Sequence, residues 1–97
     1  MKTPTAWLTY RTVILDPGAQ LVVNRHTKIG SRFQEQWDGI EWLLSRTPIV
    51  GVPHNRNAQF KNLLYVVAGC PTSNLHTIWV LYSYGNTDVV IHAVNVI

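Results

Sequence analysis

The sequence predicts an α+β domain in which a helical layer packs on an antiparallel sheet of about four strands. Three observations lead there. The stretch His76 to Ile97, HTIWVLYSYGNTDVVIHAVNVI, sets two apolar runs either side of a Gly-Asn-Thr turn, the pattern of an antiparallel hairpin. Leu63 to Val67 is an uninterrupted apolar run, as a strand covered on both sides requires. Between Lys28 and Arg46 the residues Ile29, Phe33, Trp37, Ile40 and Leu44 recur at the spacing of one helix face.

The elements follow in order. Trp7 to Leu15 alternates loosely and is rich in β-branched and aromatic residues, so it reads as a first strand with Trp7, Thr9, Arg11, Val13 and Leu15 on one side. For Asp16 to Thr27 two readings compete. Asp16 caps a helix with Pro17 at its first position, or Pro17 and Gly18 form a type II turn and Gln20 to Asn24 returns as a strand. Residue chemistry alone leans to the strand, through Val22-Val23. In the long helix, Trp42 and Leu43 broaden the apolar stripe, and Ser31 with Gln34 has capping-box spacing. Pro48 ends it. Gly39 inside it suggests a close approach of helix to sheet. Ile49 to Gln59 reads as a surface loop with His54 and Arg56 near its tip, Phe60 to Ala68 as a strand, and Gly69 to Leu75 as a mobile loop.

In the final hairpin a three-residue loop of Gly85, Asn86 and Thr87 would set Tyr82 opposite Val90, Val80 opposite His92 and Ile78 opposite Val94 on one face, whereas a two-residue Gly-Asn loop would shift the pairing by one and still leave both faces apolar. Trp79, Leu81, Val89, Ile91 and Ala93 then share the other. Both faces are apolar, yet 97 residues supply one domain and one helical layer. The uncovered face, with Trp79, Leu81, Val89 and Ile91 as interface candidates, must therefore meet a second copy of the chain or a dedicated partner.

Composition narrows the class. Charged residues make up only 13% of the chain, low for a globular protein, and the net charge of +3 permits phosphate binding without a dense basic stripe. Cys70 is the single cysteine, so no internal disulfide forms and a reducing, cytoplasmic setting is expected. The N-terminal stretch MKTPTAWLTYRTVIL is neither a signal peptide nor a membrane span.

The order strand, helical hairpin, three antiparallel strands resembles the RelE/ParE toxin superfamily. GIEWLLSRTP (Gly39 to Pro48) closing the helical region and WVLYSYGNTDVVIHAV (Trp79 to Val94) as the last hairpin carry the resemblance. It implies a small cytosolic bacterial toxin of a toxin-antitoxin pair, a ribosome-dependent endoribonuclease or a gyrase poison, wrapped by an antitoxin across its sheet. It also implies helix over Asp16 to Thr27. Lys61 matches the family's first basic position, but position 63 is Leu where another base often stands, and His76 and Thr77 replace a common Arg. Up to Ile97 nothing matches the family's catalytic segment after the last strand, so weakened or absent ribonuclease activity is the expectation.

Individual residues add candidates. His76 and His92 fall on neighbouring strands and, in the three-residue register, on one face, as an acid-base pair or half a metal site; no third ligand accompanies them, so no metal or other cofactor is expected. His54, Arg56 and Lys61 make a small basic rim suited to phosphate. Tyr82 and Tyr84 are candidates for stacking on a base. No phosphate loop, dinucleotide fingerprint or Ser-His-Asp spacing stands out. Three functions are thus expected in turn: a toxin-family protein acting through a partner on its bare sheet face, a non-enzymatic homodimeric module with a ligand groove, and an endoribonuclease whose catalysis has moved to Lys61, His76, His92 and Tyr82.

Overall fold

A computed structural model describes residues 10–27, 32–53 and 62–97. Its elements run β1 (Thr12–Leu15), α1 (Pro17–His26), α2 (Phe33–Arg46), β2 (Val52–Pro53), β3 (Leu63–Val67), β4 (Ile78–Tyr84) and β5 (Asp88–Val96). The strands form one sheet in the order β1-β5-β4-β3-β2. It has five strands rather than four, and it is mixed: β1 pairs in parallel with β5, Val13 beside Val89 and Leu15 beside Ile91, while the other pairs are antiparallel. The fifth strand is the two-residue β2. It falls in the stretch expected to be a loop, on the sheet's edge, where Pro53 lacks an N–H without interrupting a ladder.

Asp16 to Thr27 is helix, against the lean that Val22-Val23 gave. Pro17 occupies the first turn, where its missing N–H is harmless, and Ala19 and Val23 turn into the core with Val22 partly covered beside them. Tertiary burial has overridden a weak β preference. α2 places Phe33, Trp37, Ile40 and Leu44 in the core as the spacing predicts. Trp37 is 2% exposed and keeps its indole N–H satisfied by donating to the Glu41 carboxylate at 2.7 Å. Trp42 does not widen the stripe. It is exposed and carries the Arg46 guanidinium over its ring, which Tyr10 flanks as well.

The helix is preceded by Arg32, which makes no side-chain cap, and the Gln34 amide donates to the Asp38 carboxylate at 2.7 Å. Ile29 and Ser31 lie outside the described residues. Gly39 faces open space, so no close approach explains it. The segment expected to be a mobile loop is a built turn: Cys70 and Leu75 pair across it, Pro71–Ser73 form one 3-10 turn, and Asn74 takes the left-handed conformation at φ 57° that Asn tolerates.

The hairpin register also departs from expectation. Near the turn Tyr84 faces Val89, Ser83 faces Val90 and Tyr82 faces Ile91; beyond a bulge Leu81 faces Ala93, Val80 faces Val94 and Ile78 faces Val96. His92 is the extra residue on β5. With this slip Val89 and Ile91 join Ile78, Val80, Tyr82 and Val94 under the helices, fully buried, rather than sharing the far side with Trp79 and Leu81.

Candidate functional site

Both helices contribute to the one buried cluster, so among the described residues the opposite face of the sheet is uncovered. Pair registers carry Ile14, Val90, Ser83, Leu81, Ala93, Trp79, Asn95, Leu64, Val66 and Val52 to that side. Trp79 is 41% and Val66 43% exposed. Leu64, Trp79, Leu81, Ala93, Val94 and Asn95 line a groove of about 230 Å³ there. The strands β3, β4 and β5 contain no Lys, Arg or Glu, and Asp88 sits at the hairpin end. Of the four interface candidates, then, Trp79 and Leu81 occupy the uncovered face, and Val89 and Ile91 belong to the core.

At the hairpin end of this face three polar side chains from three adjoining strands meet. Asp16 follows directly after β1, and its carboxylate is not spent on capping α1. Its Oδ2 lies 3.3 Å from Nδ1 of His92, and the other ring nitrogen, Nε2, lies 2.8 Å from the Ser83 hydroxyl. His92 follows core-facing Ile91, so alternation turns it to the Ser83 side, and it is the extra residue of the bulge there. A carboxylate only accepts, so Nδ1 carries the proton in that bond, and the neutral imidazole offers Nε2 as acceptor to the serine O–H. The His92 and Asp16 side chains are 35% and 49% exposed. The three are therefore linked and reachable. Sequence reading missed this set because it rests on a parallel β1–β5 pair and on a one-residue slip in β5, neither of which residue spacing reveals.

The other candidates disperse. Tyr82 is 0% exposed on the helical side; its hydroxyl donates to the Pro48 carbonyl at 2.6 Å and accepts from the Gly51 N–H at 2.9 Å. Burial pushes that phenol above its ordinary range. His76 precedes β4 and turns its ring toward Phe33 and His26, at 6.2 and 6.0 Å between centroids. His92 lies level with the far end of β4, so the two histidines do not form the expected pair. Tyr84 is half-exposed beside the Arg11 guanidinium, whose Nε donates to the Gly85 carbonyl at 2.7 Å. His54, Arg56 and Lys61 lie outside the described residues. Hydrogen bonds from Thr72 and Ser73 hold the Cys70 thiol below its ordinary value. Among the described residues no cluster of His, Cys, Asp and Glu could hold a metal ion, and no helix is long and apolar enough to cross a membrane.

The described residues thus define a two-layer α+β fold with one sheet face that none of them covers. Comparison with known proteins yields no matching family, no similar curated protein and no similar solved structure.

Proposed function

We propose that this chain acts by docking another protein on the uncovered face of its sheet, in the manner the RelE/ParE resemblance implies for a toxin and its antitoxin. The observation that carries the reading is the continuous apolar surface of Leu64, Val66, Trp79, Leu81 and Ala93 opposite the helices. Such a surface in water favours association by roughly 25 cal/mol per Å² of apolar area covered. The succession of strand, two helices and an antiparallel set supports the kinship, although the parallel β1–β5 pair and the short β2 add to that simple order. With a net charge of +3 the chain suits an acidic, amphipathic segment whose apolar side chains enter the Trp79–Leu81 groove. In this reading the effect comes from binding, since Tyr82 is committed to backbone partners and His76 is remote from His92.

Light scattering of the isolated chain over a concentration series tests this, together with binding of the product of any small reading frame adjacent to the gene. The expected outcome is association that disappears when Trp79 and Leu81 are both changed to Lys, with the circular dichroism spectrum retained. A stoichiometric dimer would make a second copy the cover. A monodisperse monomer at high concentration that also fails to bind the neighbouring gene product would overturn the proposal.

A further inference from the structure

The linked trio at the hairpin end supports an inference that shares the Trp79–Leu81 groove with the docking reading but rests on its own contacts. We propose that Ser83 is an acyl-accepting nucleophile, with His92 as its general base and Asp16 as the positioning residue, and that the chain is acylated by activated esters of small apolar acids.

The geometry has the connectivity such chemistry needs. The hydroxyl meets Nε2 at 2.8 Å, inside the reach of proton transfer, and Asp16 engages the opposite nitrogen, selecting the tautomer whose Nε2 is free to accept. The hairpin brings Ser83 and His92 together, and Asp16 joins them from 76 residues away, across the parallel β1–β5 pair. His92 stands at the bulge, a device that re-aims a side chain out of the pleat. On β4, Leu81 precedes Ser83 by one full pleat repeat on the same face, and Leu81 with Ala93, Trp79 and Leu64 lines the groove. An acyl chain lying in that groove brings its carbonyl toward Ser83. The groove has the scale of a short acyl group and apolar walls, which sets the substrate class.

The step balances without any further reagent. Ser83 Oγ attacks the carbonyl carbon as its proton passes to His92 Nε2, and a tetrahedral adduct forms. The bond from carbon to the leaving oxygen breaks, that oxygen takes the electron pair, and the proton on Nε2 is delivered to it. The product is an ester on Ser83 and a free alcohol or phenol. Water activated by the same Nε2 then attacks the ester, its proton passes through the imidazole to Oγ, and the acid and free Ser83 result. A good leaving group needs the least help at the carbonyl oxygen, which is why activated esters are the class that fits.

The test is incubation of the full chain, carrying Cys70→Ser to remove a competing thiol, with p-nitrophenyl acetate and with p-nitrophenyl butyrate, followed by intact-mass measurement and peptide mapping. One acyl group on Ser83 is expected, placed much faster in the folded chain than in urea. Ser83→Ala should abolish it, and His92→Ala should slow it by about 10²-fold or more. Asp16→Ala should slow it by about tenfold, with Asp16→Glu recovering part of the rate, a rescue that loss of packing alone would not give. Comparison of folded with unfolded wild-type Ser83 needs no substitution, so a variant that fails to fold leaves the test intact. Acylation spread over lysines and tyrosines, or a Ser83 no more reactive folded than unfolded, would overturn the assignment while leaving the docking face untouched.

Discussion

The side-chain amide of Gln36 holds both backbone polar groups of His76: its Nε2 donates to the carbonyl at 2.8 Å, and its Oε1 accepts from the amide N–H at 3.0 Å. The pair fastens the first half of α2 to the approach of β4 and sets the His76 ring against Phe33. Gln36→Ala removes two partly buried hydrogen bonds and leaves both backbone groups in search of water. A loss of about 1–3 kcal/mol is expected in urea unfolding. An unchanged midpoint would mean the clamp is open in solution.

Tyr82 ties the middle of the sheet to the segment after α2, through Pro48 and Gly51. Tyr82→Phe keeps the ring but leaves the Gly51 N–H and the Pro48 carbonyl unpaired, costing about 1–3 kcal/mol. The phenol also gives a pH signature. Burial holds its folded value above the ordinary range, with Gly51 only partly opposing. The unfolded phenol ionises near about pH 10, so this stabilisation is complete below that pH and falls away as pH rises through the higher folded value. Urea midpoints measured upward from neutrality should decline above about pH 10, and Tyr82→Phe should remove part of that decline.

The bulge at His92 predicts opposite outcomes for two residues that simple alternation places together. Ile91 is 0% exposed, whereas Ala93 faces out beside Leu81. Ile91→Ala should cost about 2–5 kcal/mol, and Ala93→Thr should change stability by no more than about 0.5 kcal/mol in the isolated chain. Equal effects in chemical denaturation would restore the unbulged register.

Two glycines separate in the same way. At Gly39 a Cβ meets nothing within 4 Å, so Gly39→Ala should stabilise the exposed helix surface by about 0.8–1 kcal/mol. At Gly69 it would sit 2.5 Å from backbone atoms of Leu75, His76 and Thr77. Gly69→Ala therefore has to displace the chain entering β4, and a clear drop in thermal midpoint is expected.

Residue pattern revealed the α+β class, the α2 stripe of Phe33, Trp37, Ile40 and Leu44, the apolar β3 run and the final hairpin. These are local regularities, carried by period and turn chemistry. Asp16 to Thr27 was ambiguous because Pro17 suits a helix start as well as a turn, and only burial of Ala19 and Val23 beneath the sheet decides it. Site residues were harder to read. Asp16 reaches His92 only through the parallel β1–β5 pairing and Ser83 only through the hairpin's actual register, and neither leaves a spacing signature, so residue pattern singles out the histidine without its partners.

The position of β5 bears on how the molecule comes to exist. It is the last of the described elements, yet it lies inside the sheet between β1 and β4. While the polypeptide is being made, β1 has no strand to pair with and the helices have only the β3 and β4 part of their floor until Asp88–Val96 emerges. Such an arrangement discourages stepwise maturation and favours a single concerted closure, with a window of vulnerability to aggregation beforehand. A version shortened before Asp88 should gain no stable remnant from the elements it retains.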